Sequence, residues 1–429
     1  MKALRTLIGL GAIGVLFGSA LPQPVQAYAV ADFYKGKTIT LYIGYSAGGG
    51  YDTYARTIGR VIGKHIPGNP KVIAKNRPGA GSLKLTNELY NSLPKDGTVI
   101  ATFGRGMVME PLFGNKKAKF DPAKFTWLGS ANNEVSVCIA WHESPIQTLD
   151  DFLTKPMIVG GTGPGSDTDV FPKVLNNIIG TKLILVTGYP GGNDINLATE
   201  RGEVQGRCGY SWSSLKSRFP QWLTGKKVQI LLQMSTAKHP DLPDVPFVMD
   251  LAKTERDRKI LELVFARQAW GRPFAAPPNL PADRAKALQA AFMATMKDPD
   301  FLKDAKQQKL EIAPISGEKI GQLIAQLYAS PKDIVEAAKD AAKKTGKTKI
   351  TKIVIPIVTV KGTITATKRG GRRISFKSEG KTLKTKVSGS RTKVFIGGKK
   401  VKRKKLKVGM KCAFTYQGSG TESKKIACE

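Results

Sequence analysis

The run Gly44-Tyr45-Ser46-Ala47-Gly48-Gly49-Gly50-Tyr51-Asp52 lies between the apolar stretch 39–43 and an amphipathic stretch that continues through Ile62. Glycine has no Cβ to hold a ligand off the backbone, and the first N–H groups of a helix are free and sit at the positive end of its dipole. A turn of this composition suits a carboxylate or a phosphate; without a ligand it is a tight strand-to-helix connection. Arg105, flanked by Gly104 and Gly106, and Arg272, in Trp270-Gly271-Arg272, offer guanidinium forks that match a carboxylate. The alternative for each is a surface cation or an inter-lobe salt bridge.

Other chemistries fit less well. Thr345-Gly346-Lys347-Thr348 echoes a phosphate loop, but the glycine needed ahead of it falls on Ala341. Gly161-Thr162-Gly163 is followed by Ser166 where a dinucleotide fingerprint has its third glycine. His65, His142 and His239 lack metal-ligand spacing, and neither a Gly-x-Ser-x-Gly elbow nor a pair of catalytic carboxylates stands out. Binding without turnover is therefore the expected class, with no cofactor and no metal.

These turns need elements to hold them. After the helix pattern 52–64, Pro67, Gly68 and Pro70 break the chain, 71–74 reads as a short strand, and Asn76-Arg77-Pro78-Gly79-Ala80-Gly81-Ser82 leads into a helix over 83–93. A strand over 98–103 ends at Gly104-Arg105-Gly106. Strand, glycine turn and helix thus recur, and the turns of parallel strands converge on one sheet edge. From 135 the pattern repeats: strand 135–141, helix 148–153, strand 157–159, the turn 160–166, a helix through Ile178, strand 183–186, the turn 188–194, a helix through Glu200 and strand 204–208. Two α/β lobes with glycine turns on facing edges enclose a cleft.

The 429 residues suffice for two or three domains. Lys2 and Arg5, the apolar stretch 7–21 and Val25-Gln26-Ala27 spell a secretory signal peptide over 1–27, with an uncleaved anchor helix as the alternative. No cysteine follows the cleavage site, so no lipid anchor is expected, and no later apolar run approaches the roughly 18 to 20 residues of a membrane span. In an exported chain the four cysteines can pair. Cys138 with Cys208, both on strands of the second lobe, and Cys412 with Cys428 near the end are the expected bridges; two buried free thiols are the alternative for the first pair.

Four stretches carry a resemblance. Ala47-Gly48-Gly49-Gly50-Tyr51-Asp52 with Arg56, Asn76-Arg77-Pro78-Gly79-Ala80-Gly81, Pro94-Lys95-Asp96-Gly97-Thr98, and His239-Pro240-Asp241-Leu242-Pro243-Asp244-Val245-Pro246 occur in the order of the tripartite tricarboxylate transporter substrate-binding proteins, the Bug receptors. The resemblance spans about 33–342. It implies a type II periplasmic binding protein, with lobe 1 from 28–130 and 234–342 and lobe 2 from 131–233. Receptors of this kind hold a small carboxylate largely through backbone N–H groups and water. Carried onto this sequence, that places the contacts at Ala47, Gly48, Gly49, Gly50, Tyr51 and Asp52, at Ala80, Gly81 and Ser82, and, across the cleft, at Thr162, Gly163, Gly165 and Ser166 and at Tyr189, Gly191, Gly192 and Asn193, with Arg105 beside them. Ala47 stands where the family usually has Pro, and Gly50-Tyr51 replaces a small Ser-Thr pair. Tyr51 either presents a ring to the ligand, which would also suit an aromatic acid, or packs against the turn.

The last part of the chain is of another composition. From Thr345 onward 24 Lys and Arg face 3 acidic residues, which accounts for +21 of the net +35. Short alternating runs separated by glycines at 359–367, 373–377, 382–387, 392–396, 411–416 and 424–428 predict a small antiparallel all-β domain over 359–429, barrel-like, joined by a linker at 343–358. A hairpin with Gln417 facing Ser423 sets Cys412 opposite Cys428. The charge points to an anionic envelope surface or to a merely soluble cationic face, and the scarcity of interleaved aromatics argues against nucleic acid. The expected function is capture of a small organic carboxylate (a di- or tricarboxylate or an aromatic acid) in the periplasm for delivery to integral membrane transporter subunits. The alternatives are presentation to a sensor kinase and envelope attachment through the basic domain.

Overall fold

A computed structural model describes residues 24–343, 349–352, 358–416 and 422–429. The signal-peptide reading over 1–27 falls almost entirely outside them, as do the phosphate-loop echo at 345–348 and Gln417. The described residues fall into two compact units, one up to Lys352 and one after it.

The first unit contains two mixed sheets. In the first, Thr38–Ile43 lies between Lys71–Asn76 and Val99–Thr102, all parallel. Pro273–Ala276 then runs antiparallel beside Val99–Thr102, followed by Thr126–Ser130 and the short Ile315–Ser316. Thr38–Ile43 buries alternate residues, Ile39, Leu41 and Ile43, under the helix Gly50–Val61, whose Tyr54 and Ile58 face the same core. That alternation is what one buried face of a strand demands, and each such side chain contributes about 1.5–3 kcal/mol on burial.

The second sheet repeats the plan. Pro156–Gly161 and Lys182–Thr187 are parallel to each other, Gly206–Ser211 is parallel to Pro156–Gly161, and Ser136–Trp141 and Val228–Met234 follow antiparallel. The chain crosses from the first sheet to the second between Ser130 and Ser136; after Met234 its next strand in the first sheet is Pro273–Ala276. Cys138 and Cys208, on neighbouring strands, are joined in a disulfide.

Two stretches differ from the sequence reading. The helix Lys332–Ala342, expected with the first lobe, packs on Glu255–Phe265 and on Asp167–Val174 of the second; Asn177 donates to the Ala341 carbonyl at 2.8 Å. Periodicity reveals that a helix has an apolar face, not which sheet that face covers. Ile350–Lys352, expected in the linker, adds a parallel edge strand beside Lys182–Thr187. Its three residues are too few to show a period.

The second unit is a seven-stranded sheet. Val358–Lys368, Arg373–Ser378 and Lys381–Lys386 form an antiparallel meander, and Val358–Lys368 also pairs with Lys411–Tyr416. Lys393–Ile396 pairs parallel to Lys425–Cys428, which departs from the all-antiparallel expectation, and Lys399–Val401 is a further strand that the sequence did not reveal. The sheet curls: the Ser423 N–H donates to the Lys386 carbonyl at 3.0 Å, bringing the end of one edge strand against the segment that enters Lys425–Cys428. Ile364, Ile374, Phe376, Phe414 and Ile426 fill the interior, with the Phe376 and Phe414 rings stacked 3.8 Å apart.

Cys412 pairs in register with Cys428 on the antiparallel strands Lys411–Tyr416 and Lys425–Cys428, and the two are bonded across a separation of 16 residues. A loop of that size implies about 3 kcal/mol of stabilisation, a large share for so small a core. Replacing both cysteines by Ser is expected to lower the denaturant midpoint of this unit and expose it to trypsin, while the Cys138–Cys208 unit unfolds as before. Unchanged protection of residues 358–429 would contradict this.

Candidate functional site

The two sheets meet around a cavity of about 60 Å³, room for a handful of waters or a small organic anion. Two helices begin at it. Gly49 precedes Gly50–Val61 and Gly191 precedes Gly192–Glu200, and neither helix start is capped by a side chain. Their open N–H groups give the cavity wall a positive potential before any side chain is counted.

Arg105, Arg207, Arg218 and Arg272 line the cavity as well, and Arg267 lies close by; Arg218 is exposed and donates from Nε to the Gly48 carbonyl at 3.2 Å. Arg105 comes from the first lobe and its guanidinium is spent on the second: Nε donates to Asp167 Oδ2 at 2.7 Å, and Nη2 to Ser136 and Ser211 at 2.9 and 3.2 Å. Nη1 donates to the Gly271 carbonyl at 3.1 Å. Burial pulls its pKa down, but Asp167 and the neighbouring groups more than reverse this and hold it above the ordinary arginine value. Arg267 lies 3.5 Å from the other Asp167 oxygen. Arg272 pairs with Glu134 at 3.0 Å, donates to Ser213 and Ser214 at 3.0 and 2.7 Å, and lies over the rings of Tyr51 and Tyr54.

Arg207 is different. It lines the cavity from Gly206–Ser211, stacked 4.1 Å from the Tyr210 ring centre, and donates from Nη1 to the Gly192 carbonyl at 3.2 Å. Its Nε is sealed from solvent and has no hydrogen-bond partner, and among the described residues no carboxylate lies within 4 Å of it. Burial pushes its pKa down to about 10, and the positive charge of Arg272 adds to the effect. Such a shift means the folded protein disfavours the charge, and a bound anion would remove that penalty. Gly192 makes room for it: a Cβ there would lie 2.6 Å from Nη1.

Of the residues expected at the ligand, Gly48, Gly49, Gly50, Tyr51, Arg105, Thr162, Ser166, Gly192 and Asn193 line the cavity. The others have different partners. Ala47 and Ala80 are exposed. Asp52 points back into its own turn, accepting from the Gly48 N–H at 3.0 Å, from Arg56 at 2.9 Å and from Asn76 at 2.7 Å; burial opposes its charge, but these bonds prevail and hold its pKa below the usual carboxylate range. Gly81 meets the opposite lobe directly: its N–H donates to the Thr162 carbonyl at 3.1 Å, and a Cβ on it would lie 2.6 Å from the Pro164 carbonyl oxygen. Ser82 bridges within the first lobe, accepting from the Gly104 N–H at 3.1 Å. Gly163 donates to Asp169 at 2.7 Å, Gly165 faces Met107 and Glu110, Tyr189 is buried, and Gly191 packs on Ser46. Ser46 also donates from its hydroxyl to Asp194 at 2.6 Å, a further bond between the jaws. Arg105 lines the cavity while its fork pairs with Asp167, as in the salt-bridge alternative. Tyr51 both lines the cavity and packs on Tyr45, with ring centres 4.9 Å apart.

The sequence reading, which places a strand at 204–208, does not reveal the role of Arg207. The available signal is an arginine set between Gly206 and Cys208 within a strand. Outside the cavity, His239, Asp241 and Glu311 approach one another closely enough to suggest a metal, but the Lys216 ammonium already pairs with both carboxylates.

Two α/β lobes closed on a cationic cavity, each built from a parallel sheet with an antiparallel crossing strand, define a solute-binding protein of the periplasmic type. Relatives agree on the fold. The periplasmic binding protein BugD superposes with a TM-score of 0.59 at 19% identity, covering 73% of this chain and 100% of its own. MatC of Rhodopseudomonas palustris, solved with bound malate, gives 0.57 at 19% identity, covering 70% and 99%. A UPF0065 protein from the tcbD-tcbE intergenic region of Pseudomonas sp. (strain P51) is 23% identical over 328 residues, 74% of this chain and 91% of the relative. The sequence profile of the tripartite tricarboxylate transporter family receptors matches residues 55–339, and the chain belongs to that family. Among the described residues no helix is long and apolar enough to cross a membrane.

The charge pattern makes a stability prediction. Asp167→Asn and Glu134→Gln each strip a sealed guanidinium of its carboxylate and are expected to cost roughly 3–5 kcal/mol in urea denaturation of the ligand-free protein. Arg207→Met removes a guanidinium that has no carboxylate and is expected to leave stability unchanged or raised. A loss with Arg207→Met as large as the other two would contradict the assignment.

Proposed function

We propose that the protein is a periplasmic receptor that closes its lobes over a small organic carboxylate, anchors it on Arg207, and hands it to the membrane subunits of a tripartite tricarboxylate-type transporter. The observation that carries this reading is the Arg207 guanidinium, which faces the cavity with a sealed Nε and, among the described residues, no carboxylate, while Arg105, Arg267 and Arg272 each have an acid and Arg218, also in the lining, is exposed to solvent. A carboxylate would supply the missing charge and accept from the fork in bidentate fashion. The uncapped helix starts at Gly50 and Gly192 would receive its remaining oxygens, or a second carboxylate facing the Gly48–Gly50 turn. The cavity's small volume favours short acids over large aromatic ones, and the malate held by MatC is of that size and chemistry. Membership of a transporter-receptor family supports the delivery step and the periplasmic setting. Closure, rather than bond-making, is the mechanism.

A thermal-shift panel of mono-, di- and tricarboxylates, aromatic acids and amino acids tests this, since a ligand that binds only the folded state raises its melting temperature. At least one short di- or tricarboxylate is expected to stabilise the protein. In Arg207→Gln its affinity is expected to fall by about 2–4 kcal/mol, the range for losing one side of a buried charge pair. A panel without a stabilising acid, or full affinity in Arg207→Gln, would overturn the proposal.

A further inference from the structure

The basic residues of the C-terminal unit are sorted by type. From 353 to 429 there are 5 Arg and 16 Lys. All five arginines, Arg369, Arg372, Arg373, Arg391 and Arg403, line one groove of about 340 Å³, and Lys386 is the single lysine that joins them. A diffuse cationic surface would draw on both types alike.

Three separate segments build the groove. The turn after Val358–Lys368 carries Arg369 and Arg372 and leads into Arg373–Ser378; the loop after Lys381–Lys386 supplies Arg391; the turn Arg403–Lys405 supplies Arg403. The backbone is arranged for close approach. The Val387 N–H donates to the Arg372 carbonyl at 2.9 Å. Gly389 lies directly under the Arg403 fork, where a Cβ would sit 2.1 Å from Nη1. The Arg403 Nε is sealed and has no partner. The one acid in the lining, Glu422, is held in bidentate fashion by Arg391 at 3.0 and 2.7 Å. Among the described residues, Arg369, Arg372, Arg373 and Arg403 have no carboxylate within 4 Å.

Like charges gathered this closely repel one another, and an anion shared between them relieves the repulsion. The planar fork separates arginine from lysine in such a role: it presents parallel N–H donors to an oxyanion, whereas lysine offers a point charge. A carboxylate fills one fork, as Glu422 already does for Arg391. Several forks around a common space fit an oxyanion with three or more acceptor oxygens. We propose that this groove is a binding site for a phosphate group, borne either by a lipid headgroup or by a soluble phosphate ester. The site is independent of the carboxylate cleft.

Calorimetry on the full-length protein at low salt, with glycerol 3-phosphate and inorganic phosphate as probes, tests it, alongside sedimentation with phosphatidylcholine vesicles with and without phosphatidic acid. Phosphate binding is expected, and Arg373→Gln with Arg403→Gln is expected to weaken it by about tenfold or more, since each charged hydrogen bond is worth that much. Lys399→Gln with Lys400→Gln removes the same charge outside the groove and is expected to change it by less than about threefold. Arg403→Lys keeps the charge and loses the fork, so it should also weaken binding; it serves as the test if the double arginine variant fails to fold. Vesicle binding that requires phosphatidic acid and is competed by glycerol 3-phosphate assigns a lipid source; soluble binding without vesicle binding assigns a free ester. Equal losses in the arginine and lysine pairs, undiminished binding by Arg403→Lys, or no binding of any probe would overturn the proposal.

Discussion

A guanidinium taken out of water must find an anion, and the ligand-binding unit is arranged around that requirement. Besides the exposed Arg218, four arginines, Arg105, Arg207, Arg267 and Arg272, converge where the lobes meet, more positive charge than Asp167 and Glu134 match. Asp167 serves Arg105 and Arg267, and Glu134 serves Arg272. These pairs do structural work across the cleft: Arg105 leaves the first lobe to bond Asp167, Ser136 and Ser211 of the second, and Arg272 ties the return strand of the first lobe to the crossover that carries Glu134. What is left over is Arg207, with a depressed pKa and an unsatisfied Nε. The two uncapped helix starts point to the same need. A cavity so charged is incomplete without an anion.

The glycine turns were legible because their chemistry is local. A strand followed by glycines and a helix start can be read within a dozen residues, so both sheets and the facing edges of the cleft could be anticipated from 39–62 and 157–200. What each turn does was harder to read. The 80–82 and 188–191 turns contain glycine like the turn at Gly48–Gly50, yet they touch the opposite lobe: the Gly81 N–H donates to the Thr162 carbonyl, and the Ser46 N–H donates to the Pro190 carbonyl. Composition says that backbone comes close to something, not whether that something is a ligand or the other jaw. The site's arginines were the least legible part. Whether a buried arginine is free for a ligand depends on which acid folding brings beside it, and Asp167 lies 62 residues from Arg105 along the chain.

The C-terminal unit shows the same limit in another form. Its alternating strands and its cystine could be anticipated, because pairing Cys412 with Cys428 needs only a hairpin register. Its charge read as one undivided +21. Folding separates that charge, collecting the five arginines and Lys386 into a groove built from three separate segments, with the other described lysines outside its lining. The receptor profile ends at residue 339, so the family accounts for the cleft and not for this unit. The chain thus joins a unit of the receptor family to a second, cationic unit whose arginines line one groove.

The most direct measurement is a crystal structure of the protein with the carboxylate that stabilises it most. One carboxylate group is expected within about 3.2 Å of the Arg207 fork, with the Arg105–Asp167 and Arg272–Glu134 pairs intact. A ligand seated on Arg105 or Arg272 with those pairs broken, or one lying away from Arg207 altogether, would contradict it.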